Sequence, residues 1–246
     1  MSGRGGPDGG RRASLVAMTD TAGPDPGTPP DVTDRLAAVK ADLEARGLRR
    51  ADLLADPLLH VDTWFRHAAE VGVPEPAAMA LATADAYGRP AVRFVLLRGL
   101  DARGPVFFSN YDSRKGHELD ANPWVAAVMD WHVIGRQARI SGWVERIADE
   151  DADAYFATRP RQSQLAAWTS PQSRPVPDRG DLEARYATVQ ARWADRPVDR
   201  PPFWGGYRII PLEVELWQQR PGRLHDRFAF RRASALEPWA VDRLGP

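Results

Sequence analysis

A run of cationic and hydroxyl side chains lies where a strand gives way to a helix. It reads Asn110-Tyr111-Asp112-Ser113-Arg114-Lys115-Gly116. A helix start presents unpaired N–H groups and a partial positive charge, and Ser113 can cap it while Arg114 and Lys115 add full charges. This pattern suits a phosphate. A capped surface helix with solvated charges is the alternative explanation of the same spacing.

A second cationic run, Arg223-Leu224-His225-Asp226-Arg227, lies near the C-terminus. Alternate residues of a strand share a face, which predicts that Arg223, His225 and Arg227 point the same way. Together they could hold an anionic ligand, and His225 could also transfer a proton. An edge strand that carries charges against aggregation is the competing interpretation.

A third group recurs at four-residue steps and consists of Tyr155, Arg159 and Ser163. Because Pro160 interrupts the helix between them, we expect the group to bend over a ligand instead of forming one stripe.

Two further arginines, Arg93 and Arg98, bracket the apolar run Phe94-Val95-Leu96-Leu97. Their odd separation predicts opposite faces of a regular strand, where either could extend from the core to solvent. Taken alone, Gln172-Ser173 in a polar loop and Trp217 carry little signal.

Composition limits the chemistry. Among the 246 residues, 33 Lys and Arg balance 33 Asp and Glu, and no cysteine is present. The zero net charge argues against a nucleic-acid binder that works through bulk electrostatics. The lack of cysteine excludes disulfides, a thiol nucleophile and thiolate zinc sites. Only Lys40 and Lys115 are lysines, which draws attention to Lys115.

Other common sites find no support. His60, His67, His117 and His132 are scattered without metal-ligand spacing, so no metal is expected. There is no dinucleotide fingerprint and no Walker loop. No stretch of 18 apolar residues occurs, so we expect neither a membrane span nor a location other than the cytoplasm.

The N-terminal stretch differs from the rest. Residues 1–30 hold seven Gly, five Pro and no aromatic residue, which predicts a disordered tail ahead of one domain over residues 31–246. The apolar stretch Ala13 to Met18 is too short for a secretory signal. Met18 offers an alternative start.

The remaining pattern predicts strands joined by short turns, with helices inserted. Helical spacing covers Val32 to Leu43 and about 61–71, and a short helix follows Ser113. Three more helices are expected at about 150–157, 162–168 and 181–194. Strands are expected at 78–84, 91–97, 105–110, 125–132, 136–144, 207–217, 225–231 and 239–244. The fold class is therefore mainly β with flanking helices (α+β), an antiparallel barrel.

Read together, these segments resemble the pyridoxine/pyridoxamine 5′-phosphate oxidases from about Gly47 to Pro246. The matching stretches in order are Arg93-Phe94-Val95-Leu96-Leu97, Ser113-Arg114-Lys115-Gly116, Arg136-Gln137, Tyr155-Phe156, Arg159-Pro160, Ser163-Gln164, Ala167-Trp168, Gln172-Ser173, Trp204-Gly205-Gly206-Tyr207, Glu215-Leu216-Trp217-Gln218, Arg223-Leu224-His225-Asp226-Arg227 and Arg243-Leu244-Gly245-Pro246.

The resemblance implies an FMN-binding split β-barrel of antiparallel Greek-key type, which forms a homodimer with two FMN sites at the subunit interface. It implies oxidation of pyridoxine or pyridoxamine 5′-phosphate to pyridoxal 5′-phosphate. The hydride passes to FMN, and dioxygen is the final acceptor and yields hydrogen peroxide. The role would be vitamin B6 biosynthesis and salvage.

The resemblance also assigns residues to ligands. The implied FMN set is Arg93, Phe94, Val95, Leu96, Leu97, Arg98, Phe108, Ser109, Arg114, Lys115, Gln137, Gln172, Ser173, Trp217 and Arg227, some of them reaching across the dimer. The implied substrate set is Arg98, Tyr155, Arg159, Ser163, Arg223 and His225. Arg223 and His225 are the candidate catalytic residues.

This sequence departs from the family pattern at three places. Arg98 stands where Lys is usual, and a planar fork differs from a point charge at a phosphate. Lys40-Ala41-Asp42-Leu43 replaces an Arg-Arg-x-Tyr-like lid segment, and Ser109 replaces a common Thr. Two other hypotheses stay open: a split-barrel oxidoreductase that uses a flavin or deazaflavin on another substrate, and a non-catalytic flavin or pyridoxal-phosphate carrier.

Overall fold

Nine strands form one antiparallel sheet in the computed structural model, which describes residues 30–246. The strands are β1 (Ala78–Ala84), β2 (Pro90–Leu96), β3 (Gly99–Asp101), β4 (Gly104–Asn110), β5 (Trp124–Trp131), β6 (Arg136–Arg146), β7 (Trp204–Gln218), β8 (Asp226–Arg231) and β9 (Ala240–Leu244).

The strand order places β2 at one end and β3 at the other, and these two strands are close to each other along the chain. It runs β2-β1-β5-β6-β7-β4-β3, and Leu97 and Arg98 join its two ends because they link β2 to β3 along the chain. The run β4-β7-β6-β5 is a Greek-key order. The expected mainly β, α+β split barrel is therefore confirmed.

The 15-residue strand β7 is long enough to pair with two strands along one of its edges. β6 pairs with it from Arg136↔Gln218 to Arg146↔Tyr207. On the other edge, β4 pairs with the first part and β8 with the last part. Strand β9 then extends the sheet from β8. Residues on β4 and β8 thus lie at opposite ends of the same strand.

Six α-helices surround the barrel within the described residues. They are α1 (Pro30–Arg46), α2 (Pro57–Val71), α3 (Arg114–Ala121), α4 (Asp149–Thr158), α5 (Arg161–Thr169) and α6 (Arg179–Arg192). None of these helices combines the length and the apolar composition that a membrane crossing needs.

Two hydrophobic clusters hold the fold together. The larger fills the barrel and the space under α1 and α2, and includes Met79, Leu81 and Ile140, each with no exposed surface. The smaller joins α4, α5 and α6 to the start of β7 through residues such as Phe156 and Trp204. The helices between β6 and β7 are therefore anchored where β7 begins.

Predicted element positions agree with the structure within a few residues, with instructive differences. Helix α2 begins at Pro57 because the Asp56 carboxylate caps it by accepting from Leu58 N at 2.9 Å. The three-residue β3 was not predicted. Of the predicted tail, residues 1–30, only Pro30 lies within the described residues, as the first residue of α1. The alternative start at Met18 lies outside them.

Candidate functional site

A cavity of about 330 Å³ lies between β2, β4, α3 and α4. We call it the cation cavity, because four of its lining residues are basic and none is acidic. Its walls are Arg93, Phe94, Val95, Leu96, Arg98, Phe108, Ser109, Asn110, Lys115, Tyr155, Arg159, Gln172 and Trp204. Four cations around one cavity favour a ligand with more than one negative charge.

Lys115 is a half-buried cation of the group. Its Nζ donates to Ser109 Oγ and Gln172 Oε1, both at 3.0 Å, and to Ser113 Oγ at 3.3 Å. All three acceptors are neutral. Burial, with a smaller contribution from Arg93, lowers the pKa of Lys115 to about 8, and Glu118 acts in the opposite direction. A bound anion would supply the charge that these acceptors lack.

The helix that carries Lys115 begins as predicted. Ser113 caps α3 by accepting from Gly116 N at 3.3 Å, and Ser113 Oγ donates to Asn110 O at 2.7 Å. Gly116 leaves no room for a side chain, because a Cβ there would lie 1.8 Å from Tyr111 O. The cap and the close approach together fix the turn from β4 into α3.

Arg93 and Arg98 meet in the cation cavity, so the expectation of opposite strand faces was wrong. Strand β2 ends at Leu96, and the chain then turns toward β4, where Arg98 N donates to Val106 O at 2.8 Å. The strand alternation therefore does not extend to Arg98. The Leu97 side chain lies in the core with 1% of its surface exposed.

Aromatic rings form the wall opposite the lysine. Phe108 stacks on Tyr155 with 3.9 Å between ring centroids and on Trp204 at 5.2 Å. The Arg159 guanidinium lies 4.6 Å from the Trp204 ring centroid. Pro160 separates α4 from α5, as predicted, so Tyr155 and Arg159 reach the cavity while Ser163 follows on α5.

A neighbouring pocket of about 450 Å³ continues from the cation cavity past Gln172. Its lining includes Arg114, Ser173 and Arg174. Ser173 has a φ of 70°, an unusual conformation for a residue with a side chain. The predicted residues Arg114, Gln172 and Ser173 thus lie beside Lys115 in the same chain.

The other predicted residues lie elsewhere, at the far end of β7. Gln137 on β6 is directly opposite Trp217 on β7, which is opposite Arg227 on β8. The His225 ring lies 4.6 Å from the Trp217 ring. We call these residues, together with Arg223, the distal cluster. None of them lines the cation cavity.

Arg223 is not on a strand, which corrects the prediction that it shares a strand face with His225 and Arg227. β8 begins only at Asp226, and Arg223 closes a 3₁₀ turn that begins at Pro221. Its φ of 61° is left-handed. Pro221 and Gly222 favour the turn over an extended chain, so Arg223 sits at an exposed corner.

Hydrogen bonds fix the orientation of the distal cluster. His225 Nδ1 accepts from the Arg220 backbone N–H at 3.2 Å, so neutral His225 carries its proton on Nε2. Arg227 Nε donates to buried Glu215 Oε1 at 2.8 Å, and Arg139 donates to the other oxygen at 2.9 Å. Arg227 is thereby held beside Trp217.

Trp217 lies twelve residues after Gly205, which is opposite Ser109, along β7. At about 3.3 Å per residue this is about 40 Å along the strand. One chain therefore carries two partial sites, the cation cavity and the distal cluster.

Some contributors were not predicted. Asn110 and Trp204 line the cation cavity, and Thr83 and Glu118 hold Arg93 from behind. Only Glu118 had a local signal, its position four residues after Arg114. The segment Lys40-Ala41-Asp42-Leu43, which stands in place of the family's lid segment, lies within α1, where Leu43 O accepts from Gln218 Nε2 at 2.7 Å.

Family models match most of the chain. The model described as pyridoxamine 5′-phosphate oxidase matches residues 65–193. The model described as the pyridoxine 5′-phosphate oxidase C-terminal dimerisation region matches residues 204–246, which contain the distal part of β7 and the whole of β8.

Among curated relatives, two named pyridoxine/pyridoxamine 5′-phosphate oxidase come from Cupriavidus taiwanensis and Paraburkholderia phytofirmans. The first is 46% identical over 215 residues and the second 44% over 211, each covering 86% of this chain and 99% of the relative.

Two solved structures are also similar. PhzG from Burkholderia lata, in complex with tetrahydrophenazine-1-carboxylic acid, is 31% identical and has a TM-score of 0.76 over 81% of this chain and 98% of its own. A pyridoxamine 5′-phosphate oxidase-related, FMN-binding protein from Nostoc punctiforme is 18% identical. Its TM-score of 0.62, over 79% of this chain and 100% of its own, supports the fold.

Proposed function

The chain belongs to the pyridoxamine 5′-phosphate oxidase family of FMN-dependent oxidoreductases, and we propose that it oxidises pyridoxine or pyridoxamine 5′-phosphate to pyridoxal 5′-phosphate. The observation that carries the proposal is the cation cavity. Arg93, Arg98, Lys115 and Arg159 surround one space without a lining carboxylate, which suits two phosphate groups, one from the cofactor and one from the substrate.

The residues around Lys115 fit the phosphate of FMN. Lys115 is buried against neutral acceptors, Arg93 lines the same cavity, and Arg114 lies in the adjoining pocket. Ser109 and Gln172 add hydrogen-bonding groups beside Lys115, and Ser109 Oγ donates to Gln172 Oε1 at 3.3 Å. When bound, FMN supplies the hydride acceptor, and dioxygen reoxidises it with release of hydrogen peroxide. In this proposal the rest of the FMN set predicted from the sequence, from the Arg93–Arg98 segment to Ser173, keeps its role.

The substrate phosphate is assigned to the other side of the cavity. Tyr155, Arg159 and Ser163 follow one another across the bend between α4 and α5, and Arg98 lies in the wall nearby. Arginine binds phosphate through two N–H groups in a fixed plane, which also fixes the orientation of the ligand. The stacked rings of Phe108 and Tyr155 form an aromatic part of the cavity wall beside this group.

A second copy of the chain is proposed to complete each site with its distal cluster. Gln137, Trp217 and Arg227 would then contact FMN, and Arg223 and His225 would face the substrate. The distance along β7 and the match of residues 204–246 to a dimerisation region support this arrangement. A homodimer related by a two-fold axis brings the two partial sites together twice.

Arg223 and His225 are proposed to act at the C4′ substituent of the substrate. His225 can orient the substituent by a hydrogen bond from its Nε2–H to the oxygen or nitrogen on C4′, and the proton that this atom loses passes to water. The Arg223 cation stabilises negative charge that develops there as a proton leaves. C4′ loses a hydride and its substituent a proton, so an alcohol becomes the aldehyde directly and an amine becomes an imine that water hydrolyses.

The direct test begins with the purified chain. We expect flavin absorbance and, after addition of pyridoxamine 5′-phosphate in air, equal amounts of aldehyde and peroxide. Flavin without product would contradict the proposal and favour a split-barrel oxidoreductase with another substrate, or a flavin-binding carrier. If neither flavin absorbance nor product were found, the result would support neither the proposed oxidase nor the alternative split-barrel oxidoreductase.

Replacing Arg223 with Leu tests the catalytic assignment. Since Arg223 lies outside the cation cavity, we expect kcat to fall about 100-fold while FMN stays bound. Stopped-flow reduction of the flavin and the flavin content of the purified variant measure the two effects. Unchanged turnover would refute the role of Arg223.

A further inference from the structure

Glu118 on α3 is a buried carboxylate that contacts cations of two adjoining pockets. Its side chain is 5% exposed. Oε2 accepts from Arg93 Nη2 at 2.9 Å, and Oε1 accepts from Arg114 Nε at 2.7 Å. Arg93 lines the cation cavity, whereas Arg114 lines the pocket beyond Gln172. One carboxylate therefore links the cations of both pockets.

Thr83 on β1 hydrogen-bonds to both Glu118 and Arg93. Its hydroxyl donates to Glu118 Oε2 at 2.5 Å and accepts from Arg93 Nη1 at 2.5 Å. Leu81 O accepts a second bond from Arg93 Nη1 at 3.3 Å. Protein acceptors thus take three of the five N–H groups of Arg93, and the remaining two have no acceptor within residues 30–246.

Burying a carboxylate is favourable only when it is fully paired. Burial raises the pKa of Glu118, but the hydrogen bonds from Thr83, Arg114 and Arg93 lower it more, so the net shift is downward and the group is ionised. Two cations held by one ionised carboxylate lose rotamer freedom before a ligand arrives. Pre-ordering of this kind reduces the entropy cost of binding.

We propose that Glu118 is a positioning residue for the flavin phosphate, which orients Arg93 and Arg114 together toward it. This inference rests on the FMN site proposed above. Glu118 lines the adjoining pocket beside Arg114 but not the cation cavity, and in this proposal it acts through the two arginines that it holds.

The negative charge of Glu118 also repels the phosphate, and this repulsion by itself weakens the binding of FMN. If Glu118 only repelled the phosphate, Glu118→Gln would strengthen the binding of FMN. If it positions the arginines, the same change weakens the binding, because the amide cannot accept from Arg93, Arg114 and Thr83 at once. The sign of the change therefore separates the two roles.

The experiment compares FMN with riboflavin, which lacks the phosphate, by fluorescence titration of the flavin-free protein. For Glu118→Gln we expect the Kd for FMN to rise about tenfold while that for riboflavin stays within about twofold. Glu183→Gln is the matched control, since Glu183 also accepts from an arginine four residues before it, Arg179, at an exposed site.

Two further variants test the positioning role of Glu118 in other ways. Thr83→Val keeps the charge of Glu118 but removes the hydroxyl that donates to its carboxylate. We expect the Kd for FMN to rise about threefold. In an Arg93→Gln background, Glu118→Gln should have less effect than it has alone.

Equal weakening of FMN and riboflavin, or tighter FMN binding, would overturn the positioning role. A wild-type protein that binds FMN no better than riboflavin would instead overturn the proposed FMN site.

Discussion

The cation cavity and the distal cluster are built in different ways. In the cation cavity, side chains from β2, β4, α3 and the α4–α5 bend meet around one space, and bonds such as that from Lys115 to Gln172 cross between elements. In the distal cluster, Gln137, Trp217 and Arg227 occupy one row across three strands. A row on a sheet presents groups but encloses nothing, so this cluster needs a second surface to form a site.

The difference also appears in the charges. Arg227 shares Glu215 with Arg139, so its charge is partly balanced inside the chain. Lys115 contacts only neutral acceptors. We therefore propose phosphate binding for the cation cavity, and flavin-ring contacts and proton chemistry for the distal cluster.

The largest expected effect comes from combining damaged chains. A protomer with Lys115→Met and a protomer with Arg223→Leu, co-expressed with different tags and purified as a heterodimer, contain one site with both lesions and one with neither. At an FMN concentration that saturates the wild type but not Lys115→Met, we expect about half of the wild-type activity per heterodimer, although each variant alone has low activity. The measurement is peroxide release per heterodimer.

A matched control uses two lesions in the distal cluster. Pairing Arg223→Leu with His225→Ala leaves one lesion in every site, so activity should stay low. If the first heterodimer were as inactive as this control, the two partial sites would belong to the same protomer and the comparison would fail.

The next largest effect is expected from the replacement of Lys115 alone. Lys115→Met should raise the Kd for FMN about 30-fold, because a charge-assisted contact to the phosphate is lost from a desolvated position. Lys40→Met is the control, since Lys40 is the other lysine of the chain and lies on α1. Fluorescence titration measures both. Equal affinities in the two variants would contradict the phosphate assignment.

The affinity for FMN should also depend on pH. Burial lowers the pKa of Lys115 to about 8, with Arg93 on β2 acting in the same direction and Glu118 on α3 against it. A bound phosphate favours the charged ammonium, so the Kd is constant below that pKa and rises as the pH increases above it, by up to about tenfold per unit. In Lys115→Met this rise should vanish, and its persistence would refute the explanation.

The smallest expected effect is at position 98. Arg98 is buried in the wall of the cation cavity. Arg98→Lys keeps the charge but replaces a planar fork by a point charge, so we expect KM to change about threefold with kcat retained. Steady-state kinetics with pyridoxamine 5′-phosphate measure this. Identical kinetics would show that the position accepts either cation.

The sequence predicted local features well because their causes are local. The cap at Ser113, the break at Pro160 and the strand alternation of β5 and β6 each depend on a few neighbouring residues. The composition of the cation cavity was predicted through the family resemblance, not from spacing.

The rest depended on tertiary structure. Arg93 and Arg98 converge because β2 ends early and the chain turns toward β4, and no local pattern marks that end. Thr83 and Glu118 are 35 residues apart, so their bond could not be inferred from either segment. At Arg223 a local signal existed, Pro221-Gly222, but the alternation of charges suggested a strand.

The length of β7 has a thermodynamic consequence. Because one strand begins at the cation cavity and ends in the distal cluster, a ligand that bridges the partial sites of two protomers binds the dimer more tightly than the monomer. Linkage requires the reverse by the same factor, so the ligand must also tighten the dimer. Under the proposed function, the oligomeric state of this protein at low concentration follows the supply of its own cofactor.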